Sequence, residues 1–228
     1  MNAAAGVDAV LFEVDVSLRS DRRCQGRRIV RMQPFCGGLY GEAVDVRPPD
    51  QPLSDDAVTL RPWTLADVPA VAAACDEAEI ARWMHQIPTP YGEDDAREYV
   101  RSTQAAWLTG TGAFFAVVES ASGELAGAIA IHVNDPALET VEVGYWAAAR
   151  ARGRGLTTRA LKLISAWAIG QGAKRVQLRA DVRNVASLRV AEKAGFRREG
   201  TLRAAGLNER ENRRIDYAVF SLLPGDVK

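Results

Sequence analysis

The run Arg150-Ala-Arg-Gly-Arg-Gly155 combines what phosphate binding needs. Glycine lets the backbone take conformations closed to other residues and lets a ligand approach the main chain. Arginine adds fixed positive charge with several donors on each side chain. The run after it, Leu156–Trp167, reads as a helix, and a helix start offers N–H groups without partners and a partial positive charge. The run before it, Glu139–Trp146, alternates like a strand. Strand, glycine–arginine turn and helix start form a seat for a phosphorylated ligand that needs no metal. The bland alternative is a solvated turn that uses glycine for geometry alone.

A second reactive group lies in that strand. Alternation puts Glu142, Gly144 and Trp146 on one face and Val141, Val143 and Tyr145 on the other. A glutamate in the middle of a covered strand needs a reason. It can accept a proton from an amine, directly or through water, or it can pair with an arginine. Asn184 suits the cap of a helix over 185–194, with Ser187 in its first turn. Tyr217 reads as core before catalyst. The two histidines, His85 and His132, read as surface or packing residues, although His85 is also a candidate for a pocket wall.

These groups must be positioned by the elements around them. The pattern predicts a strand at Val58–Pro62, then a helix capped by Thr64 with Asp67 three residues on and a stripe of Val68, Val71, Ala72 and Cys75. Ile87–Gly92 breaks the pattern, and a helix over 93–108 follows with Tyr99, Val100 and Trp107 as its buried side. Strands at 113–119 and 124–133 flank a Ser120–Gly123 turn. After the strand at 140–146 come a helix ending at Gly170 or Gly172, a strand at 175–180, a helix at 185–194 stopped by Gly195, and strands at 196–202 and 213–222. This order implies an α/β (α+β) fold, a mixed and mostly antiparallel central sheet with helices on both faces. Residues 1–52 form an N-terminal extension without evident chemistry. They hold alternating runs at Val10–Val16 and Gly41–Val46 and an arginine-rich piece at 22–31, and they end in a proline-rich linker. Residues 53–228 form the functional domain.

Charge and composition narrow the classes. The 228 residues carry 29 Lys+Arg and 29 Asp+Glu, so no global polycation points to nucleic acid or a membrane surface. Cys24, Cys36 and Cys75 show no metal spacing, and no metal is expected. No apolar run reaches transmembrane length and the start does not read as a signal peptide, so a cytoplasmic location is the default; a monomer or homodimer is expected.

The chain resembles the GCN5-related N-acetyltransferase (GNAT) superfamily, and within it the RimJ/RimL-like branch. Arg150-Ala-Arg-Gly153-Arg-Gly155 matches the family's acetyl-CoA signature, and Asn184…Gly195-Phe196 matches its second element. Glu142-Val-Gly144-Tyr145-Trp146, Leu60-Arg61-Pro62, the Ile87–Tyr91 segment and Asp216-Tyr217…Ser221-Leu222 match the branch. The resemblance implies an acetyl-CoA-dependent (or other short acyl-CoA-dependent) N-acetyltransferase acting on a primary amine by direct attack in a ternary complex. The acceptor it implies is a protein N-terminal α-amine or a small-molecule amine. It implies that Tyr145, Trp146, Ala147 and Ala148 border the pantetheine arm, where the strand splays from its neighbour. Arg150, Arg152, Gly153, Arg154, Gly155, Leu156 and Thr157 would hold the pyrophosphate, and Asn184 and Ser187 would touch the arm. Glu142 is the expected base, and the thiolate leaves either unprotonated or with help from Ser187 or Tyr217. Many members carry a tyrosine for that last task where this chain has Ala191. The acceptor site is expected from 83–91 and 201–214, with Trp83, His85, Tyr91 and Arg203 facing it. The alternative is a non-catalytic acetyl-CoA-binding regulatory module. A nucleic-acid or nucleotide binder fits less well, because the turn lacks the Gly-Lys-Ser/Thr of a P-loop.

Overall fold

The computed structural model describes Val44 and residues 46–227. The extension's expected features at Val10–Val16 and 22–31, with Cys24 and Cys36, lie outside the described residues, as does most of Gly41–Val46. Val44 and Val46 themselves are buried in the main core.

A short strand β1 (Leu53–Ser54) pairs with β2 (Val58–Pro62). Three helices follow: α1 (Val68–Cys75), α2 (Ala78–Trp83) and α3 (Glu93–Thr109). Strands β3 (Gly112–Glu119), β4 (Leu125–Asp135) and β5 (Thr140–Ala147) make a meander, then α4 (Leu156–Gly170) crosses to β6 (Arg175–Asp181). Helix α5 (Val185–Ala194), β7 (Arg197–Asn208) and β8 (Arg213–Leu222) complete the order. The eight strands lie β1-β2-β3-β4-β5-β6-β8-β7, and every neighbouring pair is antiparallel except β5 and β6. The expected fold class holds.

Alternation sorts the strands' side chains between two cores. Phe115, Ile129, Ile131, Val143, Tyr145, Leu178 and Phe220 pack with α4 and α5 on one face. Phe114, Ala116, Ala128, Ala130 and Trp146 pack with α1, α2 and α3 on the other. The first face meets α4 with large side chains. The second uses alanines, which let Trp63, Trp83 and Tyr91 from the helices and their loops settle on the sheet. Trp63 stacks on Trp146 at 6.5 Å and meets Tyr99 edge-on at 5.6 Å.

Helix α2 was not expected. Ile80 and Trp83, three residues apart, are both buried, but six residues give a pattern too short to read with confidence against the Ile87–Gly92 break. Strand β7 runs well past the expected Leu202, because a bulge between Leu202 and Gly206 lets pairing with β8 resume. No helix among the described residues is long and apolar enough to cross a membrane.

Candidate active site

The glycine–arginine turn joins the end of β5 to the start of α4. Gly153 and Gly155 have φ of +72° and +80°, in the left-handed region. A Cβ added at either would meet nothing within 4 Å, so backbone conformation alone demands glycine there. The N–H groups of Ala151 and Arg152 are used inside the turn, donating to the Ala148 and Ala149 carbonyls at 2.9 and 3.3 Å. Among the described residues no group accepts from the N–H groups of Gly153, Arg154 and Gly155. Leu156 and Thr157, whose side chains are buried, add N–H groups of the first helical turn. The result is a run of backbone donors at the positive end of a helix.

The three arginines brace this turn. Arg150 donates to the Leu125 carbonyl at 3.1 and 2.7 Å and pairs with Glu124. Arg154 pairs with Glu119. Arg152, only 10% exposed, donates to the Ala147 carbonyl at 3.1 Å and pairs with Glu77 at 2.7 Å. Glu119 and Glu124 thus tie the turn to the β3–β4 hairpin, and Glu77 ties it to the start of α2. None of these partners is local in sequence.

Next to the turn the sheet opens. The β5–β6 ladder ends at Glu142–Gln177, whereas β5 stays paired with β4 as far as Ala147–Gly127. Ala148 donates to the Ala126 carbonyl, so by alternation the main chain of Tyr145 and Ala147 faces the gap. The splay that the resemblance implied is therefore present. Across it, the Tyr145 hydroxyl lies 3.2 Å from the Ser187 carbonyl, to which it donates, and 3.1 Å from the Ser187 hydroxyl. Asn184 caps α5, its side-chain oxygen accepting from Ser187 N–H at 3.1 Å. Ser187 and Ala191, one helical turn apart, are both fully buried.

Glu142 sits where β5 and β6 part. Its carboxylate accepts from Arg179 Nε at 2.8 Å and Gln177 Nε2 at 3.4 Å, and the side chain is 13% exposed. The arginine-paired reading and the base reading are both compatible with this geometry. Arg179 in turn lies over the Tyr217 ring at 5.7 Å. Gly206 packs directly on that ring: a Cβ there would come within 2.5 Å of the Tyr217 hydroxyl, so any larger residue requires the ring to move. His132 stands opposite Glu142 in the β4–β5 register, and burial pushes it from its ordinary 6.5 down to about 4, leaving it neutral at pH 7. Asp181, 4% exposed, pairs with Arg213 at 2.9 Å.

The two segments expected to wall an acceptor site touch each other. Arg210, in the turn between β7 and β8, donates to the carbonyls of Ala81 and Ile87. Of the individual residues, Trp83 and Tyr91 belong to the helical core, with the Trp83 indole on Glu79 and the Tyr91 N–H on Asp76. His85 is half-buried, and Arg203 is exposed on the β7 bulge. Sequence reasoning missed Arg179, Gln177 and the bridging role of Arg210. The alternation that picked out Glu142 also places Gln177 and Arg179 on one face of β6, a signal that becomes useful once the β5–β6 pairing is known.

The profile of the acetyltransferase (GNAT) domain family matches residues 57–197. The uncharacterized N-acetyltransferase p20 of Bacillus licheniformis is 24% identical over 173 residues, 75% of this chain and 95% of that protein. The ribosomal-protein-S5-alanine acetyltransferase of Vibrio fischeri shares the fold at a TM-score of 0.68 with 18% identity, over 78% of this chain and all (100%) of that one. The microcin C7 self-immunity acetyltransferase MccE, solved with acetyl-CoA and AMP, does so at 0.68 with 20% identity, over 74% of this chain and 93% of that one.

Proposed function

The chain belongs to the GNAT acetyltransferase family, and we propose that it transfers an acetyl group from acetyl-CoA to a primary amine by direct attack, with Glu142 as the base. The observation that carries this reading is the position of Glu142 at the mouth of the β5–β6 gap, on the strand that runs into the phosphate turn. A donor array for phosphate and a carboxylate at a strand opening, on one element, are what an acyl-CoA and an amine require together.

The residues present fit acetyl-CoA. The helix-start N–H groups of Gly153 to Thr157 offer donors to a pyrophosphate, and the gap beside Tyr145 and Ala147 offers backbone pairing to an extended arm. When bound, acetyl-CoA supplies a thioester carbonyl open to attack by an amine. Glu142 takes the proton that an amine with a pKa of about 8 to 10 carries at neutral pH. The main-chain N–H groups that face the gap lie farther along the same strand than Glu142 and can hold a carbonyl oxygen. Three hydroxyls flank the gap from opposite faces of the sheet, those of Ser187 and Tyr145 on the α5 side and that of Tyr217 on the Glu142 side. Ser187 or Tyr217 can offer a proton to a departing thiolate, the task for which Ala191 provides no group.

The acceptor we favour is a protein N-terminal α-amine, on the strength of the ribosomal-protein acetyltransferase that shares the fold. A small-molecule amine is the competing choice. The Arg179 partner of Glu142 and the alanine at 191 favour one further reading, a module that binds acetyl-CoA without turnover. A thiol-release screen across peptide N-termini, polyamines and aminoglycosides decides among these. Release with peptides is the expected result. Acetyl-CoA binding with no release for any amine would favour the binding module.

A further inference from the structure

The Glu142 face is bounded by two walls from distant parts of the chain. One is α2 with its loop to α3, and the other is the hairpin of β7 and β8. Arg210 joins them, donating from Nη1 to the Ala81 carbonyl at 2.8 Å and from Nη2 to the Ile87 carbonyl. Ala81 lies in the last turn of α2, where a carbonyl lacks an intrahelical donor. The hairpin that presents Arg210 is itself held firmly. Arg213 pairs with Asp181 and Glu211, and the Asn208 side chain accepts from Glu211 N–H at 3.1 Å.

The contrast with the phosphate turn is informative. Arg150, Arg152 and Arg154 are each tied to a carboxylate. The bonds of Arg210 across the walls go to neutral carbonyls, and Arg210 is exposed. Such bonds exchange with water at modest net cost, and any N–H donor can replace them. The hairpin reaches the Glu142 face through Gly206, which packs on Tyr217; the Tyr217 ring carries Arg179, the partner of Glu142.

We infer that Arg210 is a strap across the outer mouth of the acceptor face and sets acceptor size. The inference rests on the transferase reading. A small amine reaches Glu142 without touching the strap. A peptide N-terminus displaces it and lays its own main-chain N–H groups on the Ala81 and Ile87 carbonyls. The strap therefore discriminates against extended acceptors by the work of its displacement.

The test compares alanine amide with an octapeptide beginning in alanine, using the full chain with Arg210→Ala and Arg210→Met. The KM for the octapeptide should fall by about threefold to tenfold, the net worth of about one ordinary hydrogen bond. The KM for alanine amide should move far less, and so should that for acetyl-CoA. Equal shifts for both amines, or a higher octapeptide KM, would overturn the strap. Hydrogen exchange supplies a readout independent of turnover. Both variants should exchange faster across 84–92 and 208–212, and unchanged exchange would also overturn it. A wild-type protein that acetylates neither amine, with exchange still accelerated in the variants, would sink the transferase reading and leave the bridge standing.

Discussion

The two ends of the site are built differently. At the proposed cofactor end, conformation is written locally: two glycines with positive φ, a helix start, and donors contributed by consecutive residues. At the proposed acceptor end, nothing is consecutive. Glu142 comes from β5, Arg179 from β6, Tyr217 from β8, and Arg210 reaches the loop beyond α2 from the far hairpin. A seat for an invariant ligand can be encoded in one short run. A seat for a variable ligand is assembled from the ends of many elements, each of which can change without disturbing the others.

Substitutions should separate the two ends. The largest effect belongs to the acceptor end. Glu142→Gln keeps the shape and the Arg179 contact but cannot accept the proton, and kcat should fall by about 10²–10⁴-fold in a thiol-release assay. The next concerns His132, which faces Glu142. The folded protein keeps it neutral down to about 4, while the unfolded chain protonates near 6.5. The unfolded state therefore binds more protons in that window, and stability falls as pH drops from 6.5 to about 4 and no further below it on this group's account. Urea midpoints at pH 7 and 4.5 should show a loss of order 2 kcal/mol in the wild type that His132→Gln lacks.

The smaller effects belong to the cofactor end. Gly155→Val places a β-branched residue at φ +80°, which costs about 1–2 kcal/mol, so acetyl-CoA affinity measured by calorimetry should weaken about tenfold while kcat at saturation holds. Glu119→Gln removes one of the braces, an exposed pair with Arg154, and should change that affinity by about threefold or less. A larger change would mean that the turn depends on its braces more than on its backbone.

The same contrast explains what the sequence disclosed. The turn, the Asn184 cap and the face of β5 that carries Glu142 were all legible, because each depends on residues a few positions apart. The partners of Arg150, Arg152 and Arg154 were not. Glu124, Glu77 and Glu119 are chosen by strand order and by the crossing of α4, and no local pattern records them. Trp83 and Tyr91 look like pocket residues beside the Ile87–Gly92 break, yet the alanines of β3 and β4 leave room for both in the core. Small residues on two neighbouring strands thus made room for aromatics on distant elements. The Gly206–Tyr217 contact was hidden for a similar reason, since a bulge in β7 sets the register that brings them together.

The central claim is that Glu142 acts on the amine while the turn holds the cofactor. Titrating acetyl-CoA into Glu142→Gln and following acetyl transfer in the same sample tests it most directly. The account predicts a dissociation constant within about twofold of wild type, with transfer slowed by about a hundredfold or more. Transfer at the wild-type rate would contradict it and remove Glu142 from the chemistry.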